Sequence, residues 1–409
     1  MAVSGRHVLT PDEPVRERGW VRFAGGRITA VGHRDRPADA VDADGCIILP
    51  GLVNAHTHLE FSALEGSFDA SGGLPGWIGR VVAWRRARSA AAGETATVAA
   101  AITAGLAESA AAGVTSVGDI ATAWPPTVVT AGSPRLRVFR EGLGLGPATM
   151  SVASGGVTRD LNRLRAAGIS GGVSPHAPYS VAAPLGRAIL AVARARRLPV
   201  EMHLLESEAE AELLAHGTGA FRDLLDSLGV WDASRPPRLL PAAEWITLLA
   251  RARRGVVVHA THIGRDPDAL ARLARHRDRL CVAVCPRTTL ALSGVLPPVA
   301  LLRAAGIRVC LGTDGRGSNP DLSILAECRT LVDAGLASPA EALAMATRHG
   351  AWALGFERRT GRLMPGRAAD LLVLRPTQAW ADPHEAALDP STEVVAVVRS
   401  GRIIHGSWP

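Results

Sequence analysis

The chain has 409 residues, 47% of them hydrophobic, enough to bury a barrel-sized core together with a modest second unit. Its net charge of +7 is spread over interspersed acids and bases with no dense basic run, which argues against a nucleic-acid partner. No apolar run is long enough to span a bilayer and the N-terminus lacks the order of a signal peptide, so the expectation is a cytoplasmic protein with no membrane association.

In chain order, residues 1–48 contain short β-like pieces, Trp20–Phe23 and Ile28–Val31, separated by turn-forming glycines. From Val114 onward one rhythm repeats: a short run rich in Val and Ile, a polar or histidine-bearing end, then a longer Ala, Leu and Arg segment. Alternation of strand and helix in this way predicts a parallel sheet. Candidate strands end near His56, Asp119, Glu141, His176, His203, His259, Cys285 and Asp314, and eight of them predict a closed (β/α)8 TIM barrel. An open doubly wound sheet is the alternative, but no Gly-x-Gly-x-x-Gly turn follows a first strand. The Pro-rich stretch from Ser234 to Pro241 is expected to loop over the barrel mouth. Beyond residue 360 the short β style returns in Asp370–Leu374 and Val394–Ile404. Each piece is too small to bury a sheet alone, so both termini (1–48 and 360–409) are expected to combine into one small β-sandwich flanking a barrel domain of residues 49–359.

The strongest local signal is Asn54-Ala55-His56-Thr57-His58-Leu59-Glu60 after the apolar run Ile47–Val53. Alternate residues of a strand face one side, so His56 and His58 can share a metal ion. Two further candidate ligands, His203 and Asp314, end other predicted strands. Glu206 lies just past His203, where a carboxylate can take a proton from water and return it to a leaving group. Asp314 can both ligate a metal and orient the attacking water, and His259 falls between them in strand order. His262 lies beyond its strand and reads as a supporting or surface group. His176, held between Pro175 and Pro178, is placed for substrate contact. The five cysteines, an odd number set mostly in apolar segments, read as reduced, buried thiols; Cys281 and Cys285 lack a second pair that would complete a zinc site. All the basic residues are arginine, so no lysine is present to form a Schiff base or, once carboxylated, to bridge two metals.

Together these motifs, in this order, resemble the amidohydrolase superfamily, in the branch of cytosine, S-adenosylhomocysteine and aminofutalosine deaminases and the triazine hydrolases. The resemblance extends over nearly the whole chain, including the closing segment Gly361–Asp370. It implies that His56, His58, His203 and Asp314 bind one divalent ion, Zn2+ or Fe2+, five-coordinate with its water. It also implies that Glu206, His259 and Asp314 are catalytic, and that water activated at the ion displaces an amine from a nitrogen heterocycle as ammonia. His176, Arg287, Trp77, Glu60, Ser318 and Asn319 are the substrate-side candidates, the partner is a small heterocyclic molecule, and a homodimer is allowed. The sequences His-Thr-His-Leu-Glu-Phe-Ser at 56–62, Cys-Pro-Arg at 285–287 and Gly-Thr-Asp-Gly at 312–315 look most like aminodeoxyfutalosine deaminases of menaquinone biosynthesis. Arg287 stands where many relatives have a small or polar residue, and it or Arg316 would pair with that substrate's carboxylate. The alternatives are a deaminase of S-adenosylhomocysteine, methylthioadenosine or another adenine nucleoside, or a chlorohydrolase or cyclic-amide hydrolase on the same metal core. A scaffold that has lost catalysis would be expected to lack ligands, and none is missing.

Overall fold

The computed structural model describes residues 1–90, 93–122, 129–234 and 236–409. Eight parallel strands follow one another around a single sheet: Leu52–Thr57, Val114–Ala121, Arg135–Gly142, Ser170–Pro175, Val200–Leu204, Gly255–His259, Leu280–Val284 and Arg308–Leu311. Their near-continuous apolar runs, such as Val256–Val258 and Leu280–Val284, are fully buried, as expected where helices cover the outer face.

The eighth strand meets the first and nearly closes the barrel. Thr313 N donates to His56 O at 3.0 Å, His58 N donates to Asp314 O at 2.8 Å, and Asn54 Nδ2 donates to Thr313 Oγ1 at 2.8 Å. Gly312 permits this approach, because a Cβ there would lie 2.7 Å from His56 O. Strand ends deviate slightly from expectation. The second strand continues to Ala121, while the eighth stops at Leu311 and leaves Asp314 in the following turn. The seventh stops at Val284, and Cys285 precedes the helix Pro286–Ser293.

Strands from both termini make one mixed sheet in the order Arg402–Gly406, Glu393–Arg399, Leu371–Arg375, Ala40–Pro50, Ala2–Val8, Gly19–Ala24 and Arg27–His33, with Arg16–Glu17 beside Ala2–Val8. The sheet curls until its ends meet. Ala369 N donates to Gly26 O at 3.0 Å and Gly401 N donates to Ala369 O at 2.9 Å. Val3, Val21, Phe23, Ile28, Ile48, Leu371, Val373 and Val398 fill the enclosed core. The buried pair Arg135–Asp370, 2.7 Å apart, fastens this unit to the barrel.

Above the barrel mouth, Phe61, Trp77, Tyr179 and Phe221 form a separate apolar cluster. Trp231 and Leu239, from the segment before helix Ala242–Leu249, pack on its edge. The described residues of the expected 234–241 loop carry neither helix nor strand, and Arg235 lies outside the described residues. All five cysteines are buried and free, and no helix among the described residues is long and apolar enough to cross a membrane.

Candidate active site

Strand alternation brings His56 and His58 to the mouth of the first strand, and the seam with the eighth strand brings Asp314 to them. The imidazole of His56 is fully buried between two carboxylates: Nδ1 is 3.3 Å from Glu201 Oε2 and Nε2 is 3.3 Å from Asp314 Oδ1. With Nδ1–H directed at Glu201, the Nε2 lone pair faces another acceptor. A similar conflict occurs at His203. Its Nδ1 donates to His176 O at 2.9 Å, so its Nε2 lone pair points at His58 Nε2, 3.4 Å away. His58 Nε2 also lies 3.6 Å from Asp314 Oδ1. Facing lone pairs in a buried site are relieved by a cation between them. The donor set of imidazole nitrogen and carboxylate oxygen fits Zn2+ or Fe2+. Ligand atoms of His56, His203, His259 and Asp314 all lie within 4.8 Å of one another, a buried His/His/His/Asp metal site, and His58 joins it through the two distances just given.

The backbone is held in an uncommon shape to aim these groups. Leu205, His259, Ala260 and Asp314 have φ of 55°, 67°, 52° and 58°. A non-glycine residue in this left-handed region costs on the order of 1 kcal/mol or more, so it persists only where surrounding bonds enforce it. Here Ala260 N donates to Leu204 O at 3.1 Å and His262 N to Leu205 O at 2.9 Å. The buried Glu210 carboxylate accepts from Leu205 N at 2.9 Å and Glu206 N at 3.1 Å, which pins the turn presenting Glu206.

Burial pushes the Glu206 carboxyl well above its ordinary range, reinforced by the charges of Asp314 and Glu210, which favours its protonated form. Its Oε1 is 3.4 Å from His259 Nε2, and burial lowers that imidazole to about 4. Burial also lowers His58 and His176 to about 3, leaving neutral rings able to act as ligand or acceptor. Burial opposes the charge of Asp314, yet hydrogen bonding to His56 and the neighbouring imidazoles hold it well below the usual carboxylate range. Ser318 Oγ donates to its Oδ2 at 2.6 Å. Burial likewise opposes a proton on His56, but Asp314 and Glu201 outweigh it and lift the group to about 9, so the gap between Nε2 and Asp314 takes up a positive charge, a proton where no metal ion fills it.

The remaining substrate-side candidates are engaged with protein partners. Glu60 accepts from Arg85 at 2.5 Å and Arg88 at 2.6 Å. Trp77 donates its indole N–H to Gly317 O at 2.9 Å and packs edge-on to Phe61 and Phe68. Asn319 Nδ2 bridges Thr313 O and Glu327 Oε1 at 3.0 and 2.6 Å. The guanidinium of Arg287 makes a two-pronged pair with Asp321 at 2.7 and 3.1 Å. Arg316 is similarly held by Glu108 at 2.9 Å. His262 is half-buried and precedes the short turn Ile263–Arg265.

Three carboxylates to which sequence reasoning gave no role belong to the site. Glu201 orients His56, and its signal was its spacing two residues before His203 on one strand. Glu210 pins the Glu206 turn from within the helix Glu208–His216. Glu141 lies beside His176 and His203, within 4.8 Å of both. That trio is unsuited to a second ion, because the Nδ1 of His203 carries a proton toward His176 O and its Nε2 faces the first centre.

Comparison with known proteins agrees with this geometry. The sequence profile of the amidohydrolase family matches residues 47–404, taking in the barrel and most of the C-terminal strands. The chain is 32% identical over 391 residues to the 5-methylthioadenosine/S-adenosylhomocysteine deaminase of Halobacterium salinarum, covering 91% of this chain and 84% of the relative. It is 30% identical over 340 residues to the aminodeoxyfutalosine deaminase of Deinococcus radiodurans, covering 76% and 74%. The crystal structure of Helicobacter pylori aminofutalosine deaminase with methylthio-coformycin matches with a TM-score of 0.84 at 25% identity, over 98% of this chain and 99% of that one. On the extent of the family match and the buried metal site at the barrel mouth, this chain belongs to the amidohydrolase family.

Proposed function

We propose that the protein is a metal-dependent deaminase with one ion per site, replacing the exocyclic amine of a 6-aminopurine nucleoside with oxygen and releasing ammonia. The observation that carries this reading is the buried Glu206 carboxyl, its Oε1 3.4 Å from His259 Nε2, at the edge of the histidine and aspartate cluster. His56, His58, His203 and Asp314 would hold the ion. When bound, a divalent ion supplies Lewis-acid chemistry that makes water acidic enough to attack near neutral pH.

Asp314, ionised and fixed by Ser318, receives the proton that the attacking water loses. His259 directs its ring edge to the oxygen that develops on the attacked carbon and steadies its charge. Glu206 delivers a proton to the departing nitrogen. A carbon–oxygen bond forms, the carbon–nitrogen bond breaks, and the products are the 6-oxo heterocycle and ammonia.

As substrate we favour 6-amino-6-deoxyfutalosine, supported by the near full-length likeness to the Helicobacter protein. A second reading, 5′-methylthioadenosine or S-adenosylhomocysteine, is favoured by the Halobacterium relative. Recognition of a substrate carboxylate by Arg287 is not part of either reading, because Asp321 already occupies that guanidinium. The five buried, free thiols suit a reducing cytoplasm. The test is ammonia release from aminodeoxyfutalosine, 5′-methylthioadenosine, S-adenosylhomocysteine and adenosine, with cytosine and a chlorotriazine as comparators. Faster turnover of aminodeoxyfutalosine supports the first reading, and preference for the thionucleosides supports the second. Turnover of no adenine nucleoside overturns both. Metal analysis is expected to return one Zn or Fe per chain, and two fully occupied ions sharing one water would defeat the single-ion assignment.

A further inference from the structure

At the end of the barrel away from its mouth, a cleft of about 590 Å³ lies where the terminal β unit meets the strands. Arg27, Arg135, Arg359 and Arg402 are four of its nine lining residues, and none of the nine is acidic. Over the whole chain 45 basic residues face 38 acids. A second cleft, beside the second and third barrel strands, keeps that balance: Arg88 is answered there by Glu60, and Arg140 and Arg163 by Asp160. The four arginines come from distant parts of the sequence, so the fold assembles a charge that no basic run announces. Arg27 and Arg402 each follow a glycine turn, Gly25–Gly26 with φ of 56° and 76° and Gly401 with φ of 77°. A Cβ on Gly26 would lie 2.9 Å from Ser400 O, so glycine lets the two turns close on each other and bring both arginines to one cleft. Arg359 lies in the segment leading out of the barrel, its O accepting from Ala368 N at 2.8 Å. Arg135 is the first residue of the third barrel strand, and the mouth residue Glu141 stands six residues further on. At about 3.3 Å per residue the cleft is therefore roughly 20 Å from the metal centre's end of the barrel.

The bonding capacity of these arginines is largely unspent. Arg135 pairs with Asp370 at 2.7 Å and donates to Ser400 Oγ at 3.3 Å, and Arg27 donates to Gly366 O at 2.8 Å. Arg359 and Arg402 make neither an ion pair nor a side-chain hydrogen bond among the described residues. Arg399 adds a fifth guanidinium nearby: its Nη2 donates to Ala131 O at 2.8 Å, while its Nε is buried without a partner. Burial weakens its hold on a proton, and the charges of Arg135 and Arg402 weaken it further. Asp370, which also acts on Arg399, is already bound to Arg135. Like charges gathered in a concave site focus a positive field and attract an anion. Guanidinium forks match phosphoryl oxygens two at a time, so several around one cleft suit an anion with several such groups. A polyanion as long as a nucleic acid would need a stripe of basic groups along a face instead. We propose that this cleft binds a small oligophosphate, an anion with two or more linked phosphoryl groups. Such a ligand would tie Arg27 and Arg402 of the terminal sheet to Arg135 of the barrel.

The experiment titrates tripolyphosphate and inorganic phosphate into the metal-loaded protein by calorimetry, at about 150 mM salt so that scattered surface charges are screened. The wild type should bind tripolyphosphate at least about 10-fold more tightly than inorganic phosphate. Arg359→Met combined with Arg402→Met, which removes the two arginines without partners, should weaken tripolyphosphate about 10- to 100-fold. Arg187→Met combined with Arg194→Met removes the same charge from exposed positions on the helix Ala183–Arg196 and should bind as the wild type does. Both variants keep the metal site, so any chelation of the ion would appear equally in the two. No measurable binding of tripolyphosphate by the wild type overturns the proposal and requires no variant to fold. Equal weakening in the two double variants also overturns it, because net charge alone would act that way. Undiminished binding without Arg359 and Arg402 overturns it as well. ATP identifies the source of the phosphoryl chain: tighter binding than tripolyphosphate assigns the cleft to a nucleotide, weaker binding to a free oligophosphate, and either order supports the site. None of these readings uses deaminase activity, so they stand or fall apart from the proposed function.

Discussion

Two parts of the barrel rim both hold buried polar groups and have opposite character. Along the seventh and eighth strands the groups mostly satisfy one another. Glu327 accepts from Arg287 N and Asn319 Nδ2, Arg287 pairs with Asp321, and Thr288, Ser318 and Asp314 form a chain of contacts. Asn319 Oδ1 and Thr289 Oγ1 are the loose ends there. Along the third to sixth strands Glu141, Ser174 and both ring nitrogens of His259 stand without hydrogen-bond partners. The closed network fixes Asp314 in place, whereas the open groups keep bonding capacity free for a ligand.

The sharpest way to break the contrast is at the open side. Glu206→Gln keeps volume and removes proton transfer, so turnover should fall about a hundredfold to ten-thousandfold while bound metal, measured by elemental analysis, stays constant. Near-normal turnover with metal bound would remove Glu206 from the chemistry. On the closed side, burial pushes Glu327 up to about 7, above its ordinary 4.5. The native state thus holds a proton that the unfolded chain releases. The resulting stabilisation is complete below about pH 4.5 and is lost as pH rises through about 7, an effect on the order of 3 kcal/mol. Glu327→Gln should gain stability relative to the wild type across that interval in denaturant titrations, and a pH-independent difference would contradict it.

Glu201→Gln tests the link between the halves. Removing the carboxylate charge behind His56 should weaken metal affinity about 10- to 100-fold, read by competition with a chelating dye. Unchanged affinity would leave Glu201 a bystander. The smallest effect is expected at Arg287→Met. The Asp321 partner is substantially exposed, so the pair should contribute no more than about 1 kcal/mol to stability. Its loss should alter kcat/KM by less than about threefold on both aminodeoxyfutalosine and adenosine. A selective loss on the carboxylate-bearing substrate would show that Arg287 leaves Asp321 to bind it.

The sequence revealed what strand periodicity can reveal. His56 and His58 face one way because they alternate, and a run of Val or Leu that stops at His203, His259 or Asp314 marks a strand mouth. The same rule would have found Glu201, two residues before His203, had the strand been read on both sides of its histidine. What periodicity cannot show is docking between elements. Arg85 and Arg88 are three apart on the helix Gly73–Ala90, so they share a face, but nothing local shows that this face meets Glu60. The same holds for Arg287 and Asp321, separated by 34 residues. The left-handed turns at Leu205, His259 and Asp314 were also hidden, because no glycine marks them.

The position of the barrel seam bears on how the molecule assembles. His56 and Asp314 are 258 residues apart, and they meet only where the last strand finds the first. An ion gripping both would act as a staple across nearly the entire barrel sequence, closing a loop whose entropy the unfolded chain otherwise keeps. Metal affinity and barrel closure are then one equilibrium viewed from two ends: the melting temperature rises with free metal, and metal uptake reports that the ring of strands is complete.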